Sequence, residues 1–258
     1  MNFRDPKVLF GLGTVALFGL LSLSGGDPAP FMFKPGPGDM AGPLPVPGSF
    51  QPTSGTRLTS HLSDNFFRGV LALAADYRAR GAGITGEDVL GVLNAESGIS
   101  PSAKNRLSSC AGMNQICGSL SAVGFTGSLS QYLALTAEQQ FPFVRRFFDN
   151  VIRGRYALLT NMGRMYLLNF NPGNLGQPDT FHLYDKSASD PNCRTAYCQN
   201  AASLDPEGKG FIAVSDMDKF VRRSLAANGP NAPKGTPAFS YWRELRGRIQ
   251  AVGGSAAV

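Results

Sequence analysis

Residues 89–105 read VLGVLNAESGISPSAKN, and this stretch predicts the end of a helix that carries a single carboxylate. Three apolar residues recur at the spacing of one helical face: Val89, Leu90 and Leu93. Gly98 can adopt the left-handed conformation that ends helices, and Pro101 cannot continue one. The stretch therefore predicts a helix that ends at Gly98, with Glu96 near its last turn.

The position of Glu96 suggests a chemical role. It follows Leu93 by three residues, which places its carboxyl near the edge of the buried stripe. Partial burial raises the pKa of a carboxyl and keeps it protonated near neutral pH, as a general acid requires. An exposed Glu at a helix end fits the same periodicity. The helical pattern alone leaves both interpretations open.

The remaining patterns predict a mainly α fold. Residues 63–80 read as an amphipathic helix with Ser63 as its N-cap, and Thr85 with Asp88 forms a variant capping box before the Glu96 helix. Residues 215–225 and 239–252 are predicted to be helices, and we expect the second to pack on the domain. No stretch shows sustained alternation of apolar and polar residues. Residues 180–200 are predicted to be an irregular insertion.

The chain divides into four parts by composition. Residues 1–26 contain an uncharged run, 8–26, after Arg4 and Lys7, which predicts a membrane anchor or a cleaved secretory signal. Residues 27–56 hold many prolines and are expected to form an extended linker. Residues 57–228 are predicted to form the globular domain and 229–258 a tail with a short basic helix. An anchored chain would place its domain on the periplasmic side, because Arg4 and Lys7 would stay cytoplasmic.

Charge and cysteine spacing limit the partners. A formal net charge of +6 suits anionic surfaces such as cell-wall polymer or lipid. The basic residues do not form a run interleaved with aromatic residues, so nucleic-acid binding is not expected.

The four cysteines form two local couples, Cys110 with Cys117 and Cys193 with Cys198. Their spacing fits local disulfides better than zinc, although free thiols stay possible, and disulfides would indicate an oxidising compartment.

Residues 205–216 resemble the calcium loop of an EF-hand. Asp205, Glu207, Gly210 and Ile212 match that pattern. Lys209 puts a cation where an oxygen ligand is required, and Asp216 replaces the bidentate Glu of the EF-hand pattern. We therefore expect a metal-free turn here and predict no metal site and no cofactor.

Three motifs resemble the soluble lytic transglycosylase family, which shares its fold with goose-type lysozyme. Residues 96–103, ESGISPSA, resemble the family's catalytic signature. Residues 112–115, GMNQ, resemble the substrate-lining turn that follows, and Asn114 departs from the apolar residue usual there. Residues 166–174, YLLNFNPGN, resemble a drifted form of the Tyr-Asn-Ala-Gly segment that contacts the acid, with Leu168 at the Tyr position. The particular form of these motifs in this chain is similar to that of phage virion-associated murein hydrolases.

The resemblance implies a lysozyme-like helical domain that cleaves peptidoglycan glycan strands. It implies that Glu96 is the catalytic acid, and that Ser97 holds its carboxylate. The other residues that the resemblance assigns to the substrate-lining cleft are Gly112, Met113, Gln115, Tyr166 and Asn169. Family members work with one carboxylate. Residues 97–109 offer no second one, although Asp149 or Asp179 could reach the cleft and permit hydrolysis.

Two alternatives stay open at this point. The chain could be a non-catalytic, membrane-anchored virion or ejection scaffold that keeps a lysozyme-like fold. It could also be a bacterial transglycosylase that opens the wall for a secretion machine. Both alternatives keep the membrane contact through residues 8–26 and add other virion or secretion-machine proteins as partners. The expected location is the periplasmic side of a membrane, or the virion.

Overall fold

The computed structural model describes residues 59–105, 110–228 and 237–254. The predicted anchor, 1–26, and the predicted linker, 27–56, lie outside the described residues. The helices are α1 Asp64–Ala79, α2 Gly86–Ser97, α3 Leu129–Leu133, α4 Ala137–Ile152, α5 Met162–Phe170, α6 Pro191–Leu204, α7 Ser215–Asn228 and α8 Pro237–Gly254. The predicted mainly α class is confirmed.

Helix starts follow the local sequence signals. The Ser63 side chain accepts a hydrogen bond from the backbone of Phe66 at the start of α1. Thr85 and Asp88 satisfy each other's backbone N–H groups at the start of α2. Both predicted caps are confirmed, because each side chain satisfies an N–H group that has no partner within its helix.

The helix that carries Glu96 lies at the centre of the fold. Helix α2 packs against α1, α5, α7 and α8. Its burial therefore extends beyond the predicted stripe and includes Gly91, Val92 and Asn94. Gly163 allows α5 and α7, two neighbours of α2, to approach closely, because a Cβ at this position would lie 2.5 Å from the Cβ of Asp218. A central helix with neighbours on several sides fixes the position of its C-terminal end.

The predicted irregular insertion at 180–200 is wrong. This region contains strand β1, His182–Asp185, and the first part of α6, which starts at Pro191. Strand β1 pairs antiparallel with β2, Phe211–Ala213, with His182 opposite Ala213 and an irregularity before Tyr184. The two strands are too short to show the alternation of apolar and polar residues from which a strand is predicted.

Helix α8 belongs to the same core as the other helices. Its buried residues are Trp242, Leu245, Ile249 and Val252. It packs against α1 and α7, so the expected docking of this basic amphipathic helix is confirmed. Within the described ranges, no helix has both the length and the apolar character needed to cross a membrane.

Of the two predicted disulfides, the structure contains one. Cys110 and Cys117 form a disulfide, as predicted. Cys198 is a free, exposed cysteine, so the predicted bond between Cys193 and Cys198 is wrong. Both positions lie in α6 rather than in a loop. Positions five residues apart in a helix are rotated by about 140° from each other, which separates them around the axis.

Candidate active site

Glu96 lies in the last turn of α2, where the chain reverses direction. Gly98 and Ile99 both have positive φ values, 66° and 59°, and Gly98 is the predicted C-cap. The Tyr241 hydroxyl of α8 donates a hydrogen bond of 2.9 Å to the Gly98 carbonyl. The end of α2 is therefore held by the C-terminal helix as well as by its own cap.

Two polar side chains of α5 bind the Glu96 carboxyl. The Asn169 amide donates to Oε1 of Glu96 at 2.9 Å. The Tyr166 hydroxyl forms a second hydrogen bond with the same carboxyl group. Positions 166 and 169 lie three residues apart and share one face of α5. Leu168, which interrupts the sequence motif, is fully buried in the core instead.

The environment raises the pKa of Glu96 to about 7. Desolvation by the surrounding protein causes the rise, and the hydrogen bonds from Asn169 and Tyr166 offset part of it because they favour the ionised form. Burial and the adjacent carboxylate raise the pKa of Tyr166 well above its usual range, so its hydroxyl stays a donor. Glu96 is half-buried and can therefore exchange protons with a bound molecule near neutral pH.

A short turn, residues 110–117, packs beside the end of α2. The disulfide between Cys110 and Cys117 closes it, and backbone hydrogen bonds join Ala111 to Ile116 in both directions. The Ser97 hydroxyl donates to the Met113 carbonyl at 2.7 Å. This bond ties the residue next to Glu96 directly to the turn.

Gln140 of α4 also holds the same turn in place through hydrogen bonds. Its side chain is fully buried, accepts from the Met113 N–H at 2.9 Å, and donates to the carbonyls of Pro101 and Tyr132. A Cβ on Gly112 would lie 2.7 Å from the Gln140 side-chain oxygen, and the φ of Gly112 is 78°. Glycine at 112 is therefore required by both the backbone and the packing.

Four predicted site residues support the site instead of lining it. Ser97 binds the Met113 carbonyl, so the predicted bond between its hydroxyl and the Glu96 carboxylate is replaced by one to the turn. Gly112 is buried, and Met113 has no exposed surface. Core packing covers both residues, and their contact with a substrate stays a prediction. Tyr166 is also fully buried, and its hydroxyl bonds the carboxyl of the acid.

Two of the predicted binding residues keep access to solvent. Gln115 is half-buried, has a φ of 51°, and donates from its amide to the Gly112 carbonyl at 2.9 Å. Asn169 is half-buried beside Glu96. These two side chains and the acid form the part of the predicted site that a bound molecule can reach.

Sequence reasoning missed three residues of this cluster. The sequence placed Gln140 in a helix and Tyr241 in the amphipathic helix of the tail, and it gave neither residue a role in the site. Asn114 was noted as a mismatch, yet its amide contacts Asn169, with Nδ2 at 3.4 Å from Oδ1. The polar character of position 114 was the one available signal. Gln140 and Tyr241 reach the site from distant parts of the chain, which periodicity does not reveal.

The other candidate carboxylates are engaged elsewhere. Asp149 accepts a hydrogen bond from Tyr77 at 2.9 Å and lies 3.6 Å from Arg145. Asp179 pairs with Arg164 at 2.5 Å. Among the described residues, the causes that shift the pKa of Glu96 include no second carboxylate. The cluster around Glu96 thus has the donor set of a single-carboxylate site.

In the loop that resembles an EF-hand, the carboxylates of Asp205 and Asp216 already bind other groups of the protein. Asp205 accepts from the backbone N–H groups of Lys209 and Gly210 and from the Tyr197 hydroxyl. Asp216 is buried and binds the Lys209 ammonium at 2.6 Å. In the described part of the chain, no group of three or more His, Cys, Asp or Glu residues is arranged to hold a metal ion.

Two surface depressions lie outside the Glu96 cluster. One, of about 540 Å³, lies at the end of the β1–β2 pair, between Lys186 and Phe211. The other, of about 330 Å³, is lined by residues 118–121, 125–127 and 129. Its lining begins in sequence directly after the disulfide-closed turn and consists mostly of glycine, serine and threonine. Neither depression is lined by Glu96, Gln115 or Asn169.

Comparison with known proteins gives no independent assignment. No protein-family model, curated protein or solved structure matches the chain. The case for a function therefore rests on the Glu96 carboxyl and the groups that surround it.

Proposed function

We propose that this protein cleaves the glycan strands of peptidoglycan as a lytic transglycosylase, with Glu96 as the catalytic residue. The observation that carries the proposal is the state of one carboxyl group. Glu96 is half-buried, its pKa is raised to about 7, and Tyr166 and Asn169 hold it. A group with these properties can donate a proton at neutral pH and can take one back. The lysozyme-like architecture belongs to this proposal.

The reaction has two proton transfers. Glu96 first gives its proton to the oxygen between N-acetylmuramic acid and N-acetylglucosamine, and the bond from that oxygen to C1 of the muramic acid breaks. The C6 hydroxyl of the same muramic acid then bonds to C1. Its proton goes to the Glu96 carboxylate, which restores the acid. No water is consumed, so one residue supplies both the acid and the base.

The surroundings of Glu96 suit both steps. Desolvation favours the protonated acid before bond cleavage. The amide of Asn169 and the hydroxyl of Tyr166 are donors that stabilise the carboxylate afterwards. Because both donors come from α5, they are in place before the substrate binds and need no rearrangement during the reaction.

The distribution of carboxylates supports transglycosylation over hydrolysis. A hydrolytic glycosidase needs a second carboxylate to activate water or to attack C1, about 5–9 Å from the first. Asp149 and Asp179, the two alternatives, are bound to Arg145 and Arg164. Because both aspartates are already paired with arginines, the single-carboxylate route is the better supported.

The proposed setting is a cell wall reached from a membrane or a virion. The disulfide between Cys110 and Cys117 is typical of an oxidising compartment. The apolar run 8–26 and the proline-rich 27–56 would suit an anchored domain that acts on the wall. We propose a phage virion-associated enzyme that opens the host wall locally during entry, with other virion proteins as partners. A bacterial secretion-system enzyme is the alternative origin.

Release of muropeptides from purified sacculi tests the activity. The wild-type protein should release soluble fragments, and the Glu96→Gln variant should release none, because Gln keeps the shape and one acceptor oxygen but has no acidic proton to give. Glu207→Gln is the matched control, because Glu207 is exposed in the 205–216 loop. Folded wild-type protein that releases nothing would instead favour the non-catalytic scaffold.

A further inference from the structure

Asn114 is a buried amide that the mechanism above does not use. It is 1% exposed and lies in the turn beside Glu96. Its Nδ2 faces Oδ1 of Asn169 at 3.4 Å, and its backbone carbonyl accepts from Nδ2 of Asn169 at 3.2 Å. Its own Oδ1 is buried and has no hydrogen-bond partner among the described residues. Burying an acceptor without a partner lowers the stability of the folded state. A stability role alone does not account for an amide here.

The two ends of an amide have nearly the same shape and opposite hydrogen-bonding character. Asn169 could therefore place either its NH2 group or its oxygen against Glu96 at similar steric cost. In the structure, Nδ2 faces Glu96 and Oδ1 faces Asn114. Two groups at position 114 favour this orientation: the side-chain Nδ2, which needs an acceptor, and the backbone carbonyl, which accepts from Asn169 whatever the side chain is.

We propose that Asn114 is a positioning residue that keeps the NH2 group of Asn169 turned toward Glu96. The inference deepens the proposed function and rests on it for its catalytic consequence. With the NH2 group in place, the carboxylate formed after the first proton transfer meets a donor. With the amide reversed, the same carboxylate would face an oxygen lone pair, and the proton would stay on Glu96. Asn114 thus acts through Asn169 and does not touch the substrate.

Other groups near Glu96 do not set this orientation. In the described ranges, the only other side chain that acts on the pKa of Glu96 is Tyr166, a donor fixed by its own burial and by packing against Phe170 and Phe220. Gln115 turns its amide toward the Gly112 carbonyl. The selection of the Asn169 orientation therefore falls to Asn114.

The test compares Asn114→Leu with the wild-type protein. Leucine removes the Nδ2 donor and keeps a similar volume. The carboxyl carbon of Glu96, labelled with ¹³C, is titrated by NMR in each protein without any substrate. We expect the midpoint to rise in the variant by up to about one pH unit, the shift of a fully lost donor, because the Asn114 backbone carbonyl still favours the original orientation. Asn114→Ala is measured in parallel in case Leu disturbs the turn.

Asn200→Leu is the matched control. Asn200 is also a buried amide whose Oδ1 has no partner in the described chain, but it lies in α6 and bonds only to the Ala196 carbonyl. Its variant should lose a comparable amount of stability and leave the Glu96 midpoint unchanged. Asn169→Ala should shift the midpoint as Asn114→Leu does, and the double variant should add little.

The outcomes separate this inference from the proposed function. An unchanged midpoint in folded Asn114→Leu and Asn114→Ala would overturn the positioning role, whatever the activity on sacculi. A raised midpoint in a protein that never cleaves sacculi would keep the positioning role and reject the enzyme. If the positioning role and the enzyme activity both hold, the alkaline limb of the pH profile of kcat/KM in Asn114→Leu should move to higher pH by the same amount as the NMR midpoint.

Discussion

Replacing Glu96 with Gln should make the protein more stable at alkaline pH. The folded protein raises the pKa of Glu96 to about 7 from an ordinary value of 4.5. The folded state therefore binds the proton more tightly than the unfolded state does. Gln has the same shape and cannot ionise, and its one side-chain oxygen can still accept the hydrogen bond from Asn169. The variant removes the cost of ionising a desolvated carboxyl.

The sign and the size follow from proton linkage. Between pH 4.5 and pH 7 the folded state holds more protons than the unfolded one, so the free energy of unfolding falls as pH rises. The contribution of Glu96 is fully present below pH 4.5 and is lost as pH rises through 7. The difference of 2.5 units between the two values corresponds to at most about 3 kcal/mol, because one unit is about 1.4 kcal/mol.

Urea denaturation of both proteins at several pH values measures this difference. The free energy of unfolding of Glu96→Gln, minus that of the wild type, should increase by up to about 3 kcal/mol between about pH 4 and pH 8. Glu207→Gln should show no such trend. A difference that stays constant over this range would refute the claim that Glu96 is desolvated, and the proton chemistry would lose its basis.

Three further variants test the surroundings of the acid. Asn169→Ala removes a donor to the carboxylate, so kcat/KM on sacculi should fall about tenfold or more, and its alkaline limb should move to higher pH. Replacing Cys110 and Cys117 together with Ser should lower the free energy of unfolding by about 2 kcal/mol in urea, because the bond closes a short loop. Gly112→Ala should lower the melting temperature more than Gly208→Ala does; both glycines have positive φ, but only a Cβ on Gly112 meets neighbouring atoms.

Local signals in the sequence predicted helices α1, α2, α7 and α8 and the position of the candidate acid. Ser63, Thr85 and Gly98 mark helix ends through hydrogen bonds and backbone conformations that lie within a few residues of each position. The pair Tyr166 and Asn169 was suggested only by resemblance, and their spacing on α5 explains why both reach Glu96. Such features depend on short stretches of chain.

The supporting contacts could not be predicted in the same way. Gln140 and Tyr241 reach the site from α4 and α8, far away in sequence, and nothing in their own segments indicates a polar role. The burial of Met113 depends on how the disulfide-closed turn packs against α4. The second cysteine couple was misjudged because a helix replaced the expected loop. These features depend on long-range packing.

The products released from sacculi test the central claim most directly. Purified wild-type protein and Glu96→Gln are incubated with sacculi, and the soluble fragments are analysed by mass spectrometry. The wild type should release muropeptides that end in 1,6-anhydro-N-acetylmuramic acid, one water lighter than hydrolysis products, and Glu96→Gln should release none. Fragments with ordinary reducing ends would contradict the single-carboxylate reaction, and equal release by the variant would contradict the role of Glu96.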